Sequence, residues 1–272
     1  MEGEYLKKRG FIYYSIIYKK ILIQDLKSKM SYRADFVLSL MGMLATNISG
    51  FFVFWIMFRN FPTIMGWNYD EILFLYGFSL VALTPVQCFF DNNWNLRGYV
   101  YSGEFIKYCF RPINLFFYFM SETFDIKGLG QFAIGIGTII FAWNKLQLDV
   151  TFIIILKLII NLLTASLFMI ALMNTAAASC FWIINSGYIM ITANKFKDYA
   201  RYPVTIFNPV FKAIFTFIVP IAFVAYYPSL LFLNHGPIPL LSWLSFPLGI
   251  LYFYLSYKIW MKGAKSYGGT GS

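Results

Sequence analysis

The residues that ordinarily do chemistry are scarce and far apart. Cys88, Cys109 and Cys180 are odd in number and share no CxxC spacing, so neither a disulfide framework nor a thiolate metal site is expected. His235 is the lone histidine and lies in a Gly-Pro-rich loop, which suits a solvated turn better than a ligand or a base. Zinc and Ser-His-Asp chemistry both lose their parts. No GxxxxGK[ST] loop is present to cradle a nucleotide; Gly268 to Ser272 is rich in glycine but has no lysine. The sequence does not point to catalysis by this chain.

What it offers instead is polar groups in apolar surroundings. Asn47, Asn161, Asn174 and Asn185 place amides within or at the ends of apolar runs, where an unpaired polar group costs several kcal/mol. Two roles stay open for them: lining a path for a solute, or hydrogen bonding between helices. Lys157, well inside another apolar run, faces the same choice between function and snorkelling to the interface. A third unusual feature is the apolar stretch 196–233, interrupted by Pro203, Pro209, Pro220 and Pro228. Proline breaks or kinks a helix, and broken backbone at membrane depth persists where protein or a watery cavity satisfies it.

A second set of candidates lies in the polar stretch 91–123. A short helix around residues 95–101, a break at Gly103 and the Arg111-Pro112 pair before a new amphipathic run describe a docking element. Asn95, Tyr99, Tyr101, Glu104 and Phe105 carry the mixed aromatic and polar content that a partner protein's groove buries, and Arg111 is placed to fix the loop to a phosphate or carboxylate.

The elements that must position these residues follow from composition. Hydrophobic residues make up 59% of the chain and charged ones 12%, and mean hydropathy is +0.64. Ordinary soluble domains carry about 25% charge. A polytopic, all-α membrane protein is expected, a single domain over 1–272. The net charge of +10 is scattered between apolar runs and forms no stripe suited to nucleic acid. Residues 1–33 lack a signal-peptide pattern; Lys7, Lys8 and Arg9 begin a basic segment that reads as an interfacial helix on the cytoplasmic face.

Six spans are expected, at 36–58, 72–90, 124–143, 152–172, 176–193 and 240–260, each long enough for about 30 Å of hydrocarbon. Gly130, Ala133 and Gly137 would form the close-packing face of the third. Basic residues place both termini and the loop 91–123 in the cytoplasm. The apolar run 151–193 is divided at Met173-Asn174-Thr175, because a single helix of that length would reach about 65 Å. That division puts Lys195, Lys197 and Arg201 outside and makes 196–233 a re-entrant external hairpin. The competing arrangement keeps one long bent helix, holds the basic cluster inside and lets 204–232 cross.

The chain resembles the permease subunits of bacterial type-2 ABC exporters, in the branch of ABC-2 family transporter proteins. The resemblance rests on the Gly66-Trp67 turn, the loop with Gly103 and Arg111-Pro112, and Phe181-Trp182. It rests also on the run from Tyr202-Pro203 to Pro228 around Pro220-Ile221-Ala222-Phe223-Val224, and on the ending with Trp260, Gly263, Tyr267 and Gly271-Ser272. It implies a multi-pass protein of the cell membrane, six helices, and a coupling helix after the second span. It also implies a separate cytoplasmic ATPase holding the ATP and magnesium, a second permease chain, identical or homologous, and contact with membrane lipid. The expected function is ATP-driven export of an apolar or amphipathic substrate such as a drug, lipid or peptide. The alternative is a membrane-embedded enzyme or scaffold acting on lipid-linked substrates, for which the acidic residues are few and scattered.

Overall fold

The computed structural model describes residues 10–31 and 33–268. Lys7, Lys8, Arg9 and the closing Gly271-Ser272 lie outside the described residues. Among the described residues the chain is helical, with no strand. Four helices among the described residues are long and apolar enough to cross a membrane, giving up to five spans if the bent pair Pro209–Ile218 and Ile221–Ser229 counts as one.

The centre of the bundle is α3, Tyr69–Phe89, which follows α1, Phe11–Ser31, and α2, Arg33–Asn60. From Glu71 to Ala82 every residue of α3 is buried, as expected of a helix apolar all round and enclosed by others. Its start is fixed by a capping box. Asn68 Oδ1 accepts from Glu71 N at 2.9 Å, and Glu71 Oε2 accepts from Asn68 N at 2.9 Å. His235 is not the solvated turn residue expected. Its ring stacks on Trp67 at 3.8 Å between centroids, and its Nδ1 lies 3.1 Å from Glu71 Oε1, tying a later loop to this cap.

Against α3 lie α7, Lys127–Lys145, and α8, Phe152–Ala178. The close crossing of α3 and α7 is made by Gly77 and Gly135. A Cβ on Gly77 would sit 2.9 Å from Ile139 N and 3.0 Å from Gly135 O. The expected face of Gly130, Ala133 and Gly137 is not the α3 seam: Ala133 and Gly137 are exposed, and Gly130 packs on Met43 of α2. The final helix α12, Leu240–Ser266, lies along α8.

The break expected at Met173-Asn174-Thr175 is absent. Helix α8 runs through it: Thr175 Oγ1 donates back to the Ala171 carbonyl at 2.8 Å, and Asn174 Oδ1 accepts from Asn93 Nδ2 at 2.7 Å. The chain turns instead at 182–186, beside Arg97, whose Nε donates to the Ile184 carbonyl at 3.4 Å. From there α9, Gly187–Phe196, packs back along the end of α8. Residues 197–206 continue as short turns until Thr205 Oγ1 accepts from Trp67 Nε1 at 3.0 Å.

Lys197 and Arg201 therefore lie between the two ends of the bundle, not beyond the Trp67 end as expected. The Arg201 guanidinium is 5.7 Å from the ring of Tyr76, near the middle of α3. Neither expected arrangement of this region is reproduced.

The prolines mark the irregular stretch after it. Pro203 precedes a single 3-10 turn, Pro209 opens α10, Pro209–Ala213, under an Asn208 cap, and Pro220 sits at a 75° bend. Pro228 lies in α11, Tyr226–Ser229. Around the bend Phe223 stacks on Phe168 of α8 at 4.8 Å, and Phe232 then returns to Phe74 and Trp143.

Candidate functional site

The stretch between α3 and α7 folds as three short helices: α4, Asn93–Tyr101; α5, Ile106–Cys109; and α6, Leu115–Ser121. Gly103 joins the first two with φ +81°, a conformation that a side chain resists. Inward-facing rings hold the segment down. Phe105, Tyr108 and Phe119 pack on one another, and Phe105 also meets Phe181 at 5.2 Å, Tyr267 at 5.2 Å and Trp260 at 6.1 Å. One cluster thus joins the segment to the ends of α8 and α12. Tyr108 donates to the Glu122 carboxylate, and burial followed by that bond pushes its phenol pKa well above the ordinary value.

The expected docking residues divide. Phe105, expected at a partner's groove, is fully buried in this cluster. Tyr99 is half-buried, with its ring 5.6 Å from Tyr108 and 4.3 Å from the Lys107 ammonium. Tyr101 is 72% exposed. Asn95, Glu104 and Arg111 are exposed as well; Asn95 bonds to Asn92, Glu104 faces Lys107 at 3.6 Å, and Arg111 lies 5.6 Å from the Tyr118 ring. Sequence reasoning missed Phe110, which at 80% exposed is the most open ring of the segment. Its spacing of four from Ile106, also exposed, is the signal that would have found it.

The α1 helix is strapped to the same region. Lys29 Nζ donates to Asp25 at 2.8 Å and to the Phe124 carbonyl at 2.7 Å, while Asp25 accepts from Phe124 N at 3.1 Å. The ring of Tyr14 packs edge-on to Phe117 at 4.9 Å.

Between α2, α3, α7, α8 and the α9 turn lies a polar cavity of about 380 Å³. Asn47, Gln87 and Gln131 line it, with Met43, Met169 and Met173 as its apolar wall. Its charges come from both sides. Asp91, Asp125 and Lys127 sit at the end near α4, and Lys197, Asp198 and Arg201 on the irregular segment. Arg201 bonds Asp198 at 2.6 Å, and Lys127 lies 3.5 Å from Asp125, which also accepts from Gln87 at 3.3 Å. Sequence reasoning missed these charges as a group, because residues far apart in the chain meet here.

Of the four asparagines, Asn47 lines the cavity. Asn161 is a packing residue between α8 and α12: it donates to the Lys157 carbonyl at 2.8 Å and accepts from Ser245 at 3.5 Å. Asn174 is fully buried against Asn93, and Asn185 is exposed in the turn beside Arg97. These three do not line the cavity.

A family model described as ABC-2 family transporter protein matches residues 43–271, which takes in the helices that build the cavity and the whole interhelical segment. No curated protein and no solved structure matches the chain.

Proposed function

The chain belongs to the ABC-2 family of transporter proteins, and from that premise we propose that it is the membrane-spanning permease subunit of an ATP-driven exporter. A separate cytoplasmic ATPase would hydrolyse the ATP with its magnesium, and a second permease chain would complete the path. The observation that carries this reading is the seating of the segment 93–121. Its inner rings are locked to α8 and α12 through Phe105, Phe181 and Trp260, while Tyr101 and Phe110 project from it. Force applied at those outer rings would reach α8 and α12 together, which suits a rigid-body change of access.

In this reading the Arg97 end faces the cytoplasm and the Trp67 end faces outward. Basic residues support it: Lys29, Arg97, Lys107, Arg111 and Lys127 gather at the first end, and positive charge near span ends is retained inside. Six crossings then follow, by α2, α3, α7, α8, the broken segment 187–206 and α12. The bent pair Pro209–Ile218 and Ile221–Ser229 enters from the outer side and returns, a shorter re-entrant hairpin than 196–233. The cargo is an apolar or amphipathic molecule.

The test is reconstitution of the full chain with its co-purifying ATPase. Cargo-dependent ATP hydrolysis that falls away in the double variant Tyr101→Ala, Phe110→Ala supports the reading. Full coupling in that variant, or no associated ATPase, overturns it.

A further inference from the structure

Among the described residues, not every charge that lines the cavity enters a direct ion pair. Arg201 is taken by Asp198 at 2.6 Å, and Asp125 by Lys127, Gln87 and the Lys127 backbone N–H at 3.5, 3.3 and 3.1 Å. Lys197 and Asp91 remain. Both line the cavity and both are half-buried, yet among the described residues neither enters an ion pair within 4.0 Å. Asp91 stands where α3 passes into α4, and Lys197 opens the turn after α9, so they approach the cavity from different walls. Holding two opposite charges partly out of water without joining them costs free energy on both sides. A molecule bearing both complementary charges would offset both costs.

We propose that this cavity binds a zwitterion with a primary ammonium at one end and a phosphate or carboxylate at the other. Lys197 takes the anionic group, with the Arg201 guanidinium beside it, and Asp91 takes the ammonium. The Asn47 and Gln131 amides border the middle of the ligand, and Met43 and Met169 accept its short carbon linker. A primary ammonium fits better than a quaternary one. A quaternary ammonium has no N–H to donate to the Asp91 carboxylate, whereas a primary ammonium does. Such a zwitterion comes either as an amphiphile's headgroup, which would specify the cargo class of the proposed exporter, or as a free small molecule. The lipid source rests on the permease reading; the site itself does not.

The experiment is direct binding to the purified full chain in detergent, by thermal shift and by titration, with no ATPase present. Failure here would leave the permease reading standing, and loss of the ATPase partner would leave this site standing. Three probes are used: lysophosphatidylethanolamine, free phosphoethanolamine, and lysophosphatidylglycerol, which keeps the phosphate and tail but lacks the amine. Saturable binding of lysophosphatidylethanolamine well above lysophosphatidylglycerol is expected, with Lys197→Gln and Asp91→Asn each weakening it by about tenfold or more. Lys197→Arg should retain binding. Binding of free phosphoethanolamine with the same dependence on Asp91 supports the site and assigns a soluble source. Equal binding of the two lysolipids, indifference to Asp91→Asn, or no binding of either amine probe overturns the proposal. If Lys197→Gln fails to accumulate, Asp91→Asn and Lys197→Arg still decide it.

Discussion

Asn93 and Asn174 are joined by a side-chain hydrogen bond of 2.7 Å between α4 and the buried end of α8. Both are almost wholly out of solvent, so this contact fixes the start of the interhelical segment to the long apolar helix α8. Removing one partner strands the other. Asn174→Leu is expected to destabilise the full chain by about 1–3 kcal/mol, whereas the double change Asn93→Leu, Asn174→Leu recovers part of that loss. Thermal unfolding of Asn93→Leu, Asn174→Leu and the double variant in detergent checks it. A double variant worse than the sum of the singles would show that the bond matters less than the local volume.

The inner and outer rings of the segment should separate cleanly by phenotype. Phe105→Ala opens a cavity inside the aromatic cluster and is expected to cost about 3–5 kcal/mol, seen as poor accumulation or a lowered melting temperature. Tyr101→Ala and Phe110→Ala remove exposed surface and should each stay within about 0.5 kcal/mol of the parent. A large stability loss at Phe110 would mean that its side chain is covered within the chain.

Tyr108 carries a signed pH dependence. Its phenol, with an ordinary value of 10.0, is pushed higher by burial and by the Glu122 bond. The protonated form is the one the fold favours, so its contribution is complete below the unfolded value and is lost as pH rises beyond it. Tyr108→Phe should therefore lower stability at neutral pH by about 1–3 kcal/mol, for the Glu122 acceptor left behind. The gap between parent and variant should narrow above pH 10.0. A gap constant from neutral to strongly alkaline pH would remove the hydrogen bond from the explanation.

How far the fold is legible in the sequence depends on how local its causes are. The apolar runs beginning at 36, 72, 124 and 240 fall on α2, α3, α7 and α12, since burial in an apolar medium is written into each run by itself. Asn174 misleads because its polarity resembles a turn signal, and its real partner lies 81 residues earlier. Phe105 misleads in the same way: a ring in a polar loop looks outward until Phe181, Trp260 and Tyr267 are brought to it. Choosing Gly137 over Gly135 as a packing glycine fails for want of the opposing helix. The charged cavity is the extreme case, because Asp91, Asp125 and Lys197 become neighbours by folding alone.

Small residues at the α3–α7 crossing make the next test. A Cβ at Gly77 would meet backbone atoms of α7 that cannot give way, so Gly77→Ala should force the helices apart and destabilise by about 1–3 kcal/mol. At Gly137 a Cβ would meet nothing within 4 Å, so Gly137→Ala should be neutral or slightly stabilising through helix propensity. Equal behaviour of the two variants would refute the crossing.

The orientation proposed for the bundle can be read by labelling single cysteines in a background where Cys88, Cys109 and Cys180 are replaced. Met65 is 73% exposed at the Trp67 end, and Tyr101 and Ile184, at 72% and 76%, stand at the Arg97 end. With the Trp67 end outward, an impermeant thiol reagent added to intact cells should modify Met65→Cys and spare Tyr101→Cys and Ile184→Cys. The turn at 182–186 is the informative site. The division of the apolar run at 173–175 would carry residue 184 back into the membrane, whereas the uninterrupted α8 leaves it beside Arg97. Once cells are opened, Ile184→Cys should therefore react as readily as Tyr101→Cys. Labelling of Ile184→Cys from outside, or its protection in opened membranes while Tyr101→Cys reacts, would restore a different path for residues 179–206.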